Sequence, residues 1–291
     1  MTPTALARAG RLAWRVGGLV VVWVLAQGIF ESFVGPLWGG VSRWIGEPIP
    51  LYPVSMLVGS AMATWVVFRH FEPMSWADLG FGPHAFGWRA LLVGVVIGTV
   101  MILLTALLLW IGGWLRFEAT PPLPYMVDTW NGTAWRLLVI LGPAALWEEL
   151  TFRGALYAAF DEAMSRQAAR FASSLLFGLV HLTNPGAGVR TTLLVILAGY
   201  GLALLRERSG VPAAWGAHLA WNWVMAAVLH LPVSGLPFAT PGYRATVHGP
   251  DWLTGGSWGP EGGFAAAVVL GGAAWWASRS SATHDTRTSE T

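Results

Sequence analysis

Eight apolar stretches follow one another along this chain, at approximately 14–34, 50–69, 88–114, 134–160, 165–183, 189–206, 211–231 and 263–277. Each lies near the length, about 20 residues, that covers ~30 Å of hydrocarbon as an α-helix. The fourth is interrupted by charge and the eighth is short. Composition agrees, with 55% hydrophobic and only 11% charged residues, where ordinary soluble domains carry roughly 25% charged residues. The 36 glycines and 19 tryptophans suit membrane helices and their interfaces. The expected fold is all-α: a polytopic membrane protein of about eight transmembrane helices. Disorder, nucleic-acid binding and a soluble globular enzyme are excluded as classes.

Other bulk properties narrow the chemistry. The net charge is +2 and all 17 basic residues are Arg, so there is no basic surface for nucleic acid. The absence of Cys removes disulfides, thiol nucleophiles and Cys-ligated metals. Arg8, Arg11 and Arg15 precede the first apolar run, but no small-x-small cleavage site follows it, which predicts an uncleaved first span. With eight spans, eleven arginines, among them Arg8, Arg11, Arg15, Arg206 and Arg208, fall on the side of the termini. Five (Arg43, Arg116, Arg136, Arg190 and Arg244) fall opposite, and Arg153 lies within a span. The positive-inside rule then puts both termini in the cytoplasm. The chain divides into 1–130 (three helices and loops), 131–232 (helices four to seven) and 233–291. This last part comprises a Gly/Pro-rich loop, the final helix and a polar tail. The loop 232–262 is expected opposite the cytoplasm, folded back as a cap, and Ser278–Thr291 as a disordered tail.

Ionisable groups within the spans cluster in three places. Span four reads Trp147-Glu148-Glu149-Leu150-Thr151-Phe152-Arg153, span five ends Phe177-Gly178-Leu179-Val180-His181, and span seven contains His218-Leu219-Ala220-Trp221-Asn222. A charge at the bilayer centre costs roughly 2.5–3.5 kcal/mol on insertion scales, so such residues mark protein interiors, cavities and function. Glu149 and Arg153, spaced i,i+4, can neutralise one another. Successive helical residues project about 100° apart, which leaves Glu148 pointing elsewhere. Helical rise places Glu148, His181, His218 and Asn222 at comparable depths, compatible with one cavity open to the cytoplasm. One carboxylate, two imidazoles and a carboxamide suit hydrolysis of an acyl bond. A carboxylate in an apolar pocket titrates nearer neutrality and can take a proton from water. His and Asn donors can stabilise an oxyanion.

In order and spacing, these residues resemble the CPBP family, also called the ABI or type II CAAX endopeptidase family. The three motifs are Glu148-Glu149-x-x-x-Arg153, Phe177-x-x-x-His181 and His218-x-x-x-Asn222, over a core of about 135–230. The stretches Gly249–Gly256 and Gly259-Pro260-Glu261-Gly262 also look like a pre-terminal loop of some bacterial members. The resemblance implies an eight-helix intramembrane endopeptidase of the glutamic type, acting on a membrane protein or peptide in the bilayer, with no cofactor. By position, Glu148 would activate water with help from His181, and His218 and Asn222 would hold the oxyanion. Glu149 and Arg153 would support the site, as would Phe177.

Two alternatives stay open at this point. Two histidines and a glutamate can ligate zinc and leave a position for water, although H-E-x-x-H is absent. A non-catalytic scaffold, immunity protein or transporter could also place carboxylates and histidines at mid-depth. Other features resolve simply. Gly255–Gly259 matches G-x-S-x-G without its strand–turn–helix setting. Asn131-Gly132-Thr133 matters only as a eukaryotic sequon. Gly94 and Gly98 read as helix packing. His230 is expected at the interface, and His70, His84, His248 and His284 in loops or the tail.

Overall fold

The computed structural model describes residues 3–45, 49–83, 87–119, 129–238 and 240–288. The protein is mostly helical, and each of the eight expected stretches forms helix. The order begins with α1 (Pro3–Ile45), α2 (Tyr52–Trp65) and α3 (Trp88–Ile111). It continues with α4 (Trp130–Glu149), α5 (Tyr157–Ala163), α6 (Arg166–Val180), α7 (Val189–Ser209) and α8 (Val211–Trp223). A short α9 (Asp251–Thr254) and a final α10 (Phe264–Thr288) complete it. Among the described residues, four helices are long and apolar enough to cross a membrane: Leu6–Arg43, Tyr52–Phe71, Trp88–Ile111 and Val189–Ser209. The remaining four fall short for physical reasons visible in the sequence. The α4–α5 stretch carries the buried charges, α6 has 15 residues, α8 has 13, and α10 ends in polar residues. This is a helical membrane protein.

Three departures from the sequence reading concern secondary structure. Two loops pair as antiparallel strands, β1 (Leu115–Ala119) with β2 (Tyr243–Val247). Aromatic and β-branched side chains favour this pairing, as does Glu118 opposite Arg244. Phe117 meets Tyr243 edge-on at 5.8 Å. The polar tail is helical, since α10 continues to Thr288; positions 289–291 lie outside the described residues, as does His84. Three helices also widen into π-helical turns, at Val66–Phe71 beyond α2, Leu150–Leu156 between α4 and α5, and Val224–Val228 beyond α8. Such turns are rare and favour functional sites.

Local signals explain the helix starts. Thr129 accepts from the Gly132 amide at 3.2 Å to begin α4, and Ser165 accepts from Ala168 to begin α6, as N-caps do. Gly210, at φ +82°, reverses the chain between α7 and α8, where Pro212 occupies the first turn.

Two clusters of buried apolar residues flank the centre. One gathers Phe68, Trp147, Phe152, Tyr157 and Phe177; the other gathers Ile102, Leu109, Leu137, Trp221 and Met225. Helix α8 is held from two sides. Against α3 the contact is backbone to backbone: a Cβ on Gly94 or Gly98 would lie 2.0 Å from Ala213 O or 2.1 Å from Ala217 O. The expected small-residue packing of Gly94 and Gly98 is therefore present. Against α4, indole N–H groups bond across the interface, Trp215 to Gly142 O at 3.0 Å and Trp223 to Ala134 O at 2.9 Å.

Polar contacts tie helix ends to their neighbours: Arg15 pairs with Glu72 and Glu162, Arg170 with Glu207 at 2.6 Å, and Arg208, at the end of α7, donates to Ala277 O midway along α10.

Candidate functional site

The end of α4, the end of α6 and the middle of α8 bring the expected residues together. Glu148 and Glu149 project differently, as their 100° separation requires. Glu149 is fully buried, and its Oε1 takes Nη1 of Arg153 at 3.0 Å. The same oxygen also accepts from Nδ1 of His218 at 2.8 Å. The anticipated ion pair is thus one half of a longer chain, Arg153–Glu149–His218, that reaches a second helix.

Glu148 meets the same imidazole from its other nitrogen. Its Oε2 lies 3.8 Å from His218 Nε2 and 4.0 Å from His181 Nε2. Those separations are too long for direct hydrogen bonds. Oε2 is nevertheless buried and without a hydrogen-bond partner, an arrangement native structures seldom leave unexplained. A water ~2.8 Å from each atom of such a pair spans the gap. His181 Nδ1 lies 2.7 Å from Phe177 O. A carbonyl only accepts, so Nδ1 carries the proton and a neutral ring presents the Nε2 lone pair to Glu148.

Phe177 holds these parts in register. Its ring lies 4.6 Å from the His181 ring, 5.9 Å and nearly perpendicular to that of His218, and 4.0 Å beneath the Arg153 guanidinium. Arg153 Nε and Nη2 have no hydrogen-bond partner, so the aromatic face supplies part of the cation's stabilisation. Gly199 of α7 admits this stack, because a Cβ there would sit 3.0 Å from Arg153 Nη2 and 3.1 Å from Phe177.

Asn222 lies one turn beyond His218 and shares with it and His181 the wall of a cavity of about 440 Å³. The cavity runs between α3, α7, α8 and α10, and its lining includes Ser234, Glu261, Arg208 and Ala277. Glu148 does not itself line this cavity, but its Oε2 lies 3.8 and 4.0 Å from the Nε2 atoms of two histidines that do.

Outside this centre, His230 stacks on Tyr243 with ring centroids 3.8 Å apart, and its Nδ1 lies 2.7 Å from Tyr243 O. Burial pushes the Tyr243 phenol above its usual range. His70 lies in a π-helical turn rather than a loop, against Trp65 and Phe71. The side chain of His284 lies outside the described residues. The loop after α8 folds back on itself and onto α8: Gly235 N bonds Trp258 O at 2.9 Å, and Glu261 accepts from Trp221 of α8.

Sequence reasoning missed two connections. The Glu149–His218 bond joins residues 69 apart, and no spacing rule links different helices. Glu261 accepts from Trp221 Nε1 at 3.0 Å; the sequence marked it as part of a Gly/Pro-rich loop stretch but gave no sign of its partner.

The fold and the site define a helical membrane protein with a buried acid–imidazole centre beside an apolar cavity. Residues 130–224 match the family model described as type II CAAX prenyl endopeptidase Rce1-like. That segment contains all three motifs, and the match is to the same type II CAAX endopeptidase family that the motifs resemble. No curated protein and no solved structure matches the chain.

Proposed function

We propose that this protein is an intramembrane endopeptidase that hydrolyses a peptide bond of a membrane-associated protein or peptide, using water activated by Glu148. The observation that carries the reading is the buried, unpartnered Oε2 of Glu148, 3.8 and 4.0 Å from two imidazole nitrogens. Water held in that gap gives a proton to Glu148 while its lone pair attacks the carbonyl carbon. His181, with its Nε2 lone pair facing the gap, orients the water. The C–N bond then breaks, and Glu148 returns the proton to the departing amine.

His218 and Asn222 act on the carbonyl oxygen. Because His218 gives Nδ1–H to Glu149, its Nε2 donates only when the ring is an imidazolium. Well-placed oxyanion donors contribute about 3 kcal/mol each in studied enzymes. Arg153 neutralises Glu149 without touching the reacting atoms, and Phe177 fixes both rings.

The zinc-dependent alternative fits less well. Tetrahedral zinc, with bonds of ~2.0–2.1 Å, needs ligand atoms ~3.4 Å apart, and Glu148 is 3.8 and 4.0 Å from the two nitrogens. Among the described residues no group of three His, Asp or Glu side chains has the arrangement of a metal site. No step is assigned to a metal.

The proposed topology has eight crossings with both termini in the cytoplasm. Arginine asymmetry supports it. Prenylated substrates are one case of the class, given the family's description. The deciding experiment compares membrane peptidomes of cells carrying wild type and Glu148→Gln, then tests purified protein in liposomes on the precursor that accumulates. Cleavage by wild type alone is expected. Wild-type rates from Glu148→Gln would overturn the assignment, and uptake dependent on Glu148 without cleavage would establish transport instead.

A further inference from the structure

Where Ser234 and Glu261 line the cavity, three separate segments are tied by one carboxylate. Ser234, in the loop after α8, has φ +49°, a left-handed conformation uncommon for a residue with a Cβ. Its carbonyl accepts from Asn184 Nδ2 at 3.1 Å, three residues beyond His181. Its N–H and Oγ–H both donate to Oε1 of Glu261 at 2.6 Å. The other oxygen of Glu261 accepts from Trp221 Nε1 at 3.0 Å, and Trp221 directly precedes Asn222. Ser234 and Glu261 both border the cavity.

The chain Asn184–Ser234–Glu261–Trp221 therefore connects the turn that carries His181 to the helix that carries His218 and Asn222. Neighbouring glycines let the loop approach this closely. A Cβ on Gly235 would fall 2.0 Å from Pro185 O, and one on Gly259 would fall 2.1 Å from Pro232 O. The chemistry at residue 261 is selective. Three donors converge on it, so an acceptor-only carboxylate satisfies all three, whereas a carboxamide would turn an NH2 group toward one of them. Strained backbone of the Ser234 kind persists where surrounding contacts over-determine it, and such places cluster at functional sites.

We propose that Glu261 is a positioning residue, clasping the loop cap to α8 and the α6–α7 turn so that His181 and the His218–Asn222 pair keep their working separation. The proposal rests on the proteolytic reading above and adds to it a residue from outside the three motifs. Glu261 acts through its partners and does not touch the reacting atoms.

The test uses the full-length protein in liposomes and the precursor that accumulates with Glu148→Gln. Glu261→Gln should lower kcat about 10- to 100-fold, the scale on which small misplacements act, with KM and melting temperature near wild type. Trp221→Phe should lower kcat similarly, and the double variant should be no worse than either single one, as for residues acting through one contact. Hydrogen–deuterium exchange needs no substrate. Glu261→Ala should speed exchange in 181–188 and 230–236 while leaving α1–α3 unchanged, and Glu148→Gln should leave both segments at wild-type rates. Unchanged kcat in both Glu261 variants would overturn the proposal, even if exchange rose, because the clasp would then be structural alone. Additive losses in the double variant would also overturn it. Wild-type cleavage by Glu148→Gln would instead bring down the proteolytic reading, while the exchange arm would still report whether the clasp exists.

Discussion

Helix α8 is gripped by two interfaces of opposite kind. Its seam with α3 contains no charge: Gly94 and Gly98 let the helices touch at the backbone, where even a methyl group would overlap a carbonyl oxygen. Its junction with α4 and α6 is built from a buried carboxylate, a buried guanidinium and imidazoles. The seam fixes where α8 lies, and tolerates nothing larger than hydrogen at its crossing points. The junction fixes which way His218 faces, and tolerates no unpaired charge. Close packing needs only shape, so it can sit anywhere along a helix pair. Buried charge needs specific partners at specific distances, and on α8 that demand falls at His218, beside the cavity.

The two grips should fail differently. The largest effect is expected from Glu149→Ala, which strands Arg153 as a buried cation. Breaking such a pair costs about 3–5 kcal/mol, read as a fall in unfolding free energy of the purified protein in detergent. Adding Arg153→Met should recover much of the loss, since removing both charges avoids the uncompensated one. No recovery would mean that Glu149 stabilises through His218 instead.

Gly98→Val should rank next. It inserts side-chain atoms where a Cβ alone would approach Ala217 O to 2.1 Å, and overpacking costs typically 1–3 kcal/mol. Gly17→Ala makes the matching control, because a Cβ there meets nothing within 4 Å. That change should be neutral or stabilising, by up to about 1 kcal/mol. Equal losses from the two glycine variants would dissolve the distinction between seam and surface.

Glu148→Gln probes the junction without stranding a partner, since Oε2 of Glu148 has none to lose. Its stability should stay within about 0.5 kcal/mol of wild type, while cleavage falls by 10²-fold or more, the scale of general-base catalysis. The smallest effect belongs to the outer face of α1, where Val24 is 62% exposed. Val24→Leu should change neither melting temperature nor cleavage measurably.

The sequence by itself determined the helices and the polar residues that gather between them. Runs of about 20 apolar residues leave little besides helix, and charge is so costly within them that Glu148, Glu149, Arg153, His181, His218 and Asn222 stood out unaided. Spacing along one helix was legible too, in the Glu149–Arg153 pair and in Gly94 and Gly98. What passes between helices was not. That Glu149 and Glu148 reach opposite nitrogens of one His218 ring depends on the rotation and tilt of α4 against α8. Packing over the whole length of both helices sets that rotation and tilt. The same holds for the β1–β2 pairing, for the π-helical turns beyond Glu149 and Trp223, and for the bond from Glu261 to Trp221. Local pattern records which groups are costly to bury; only the assembled tertiary structure decides which partners make each burial tolerable.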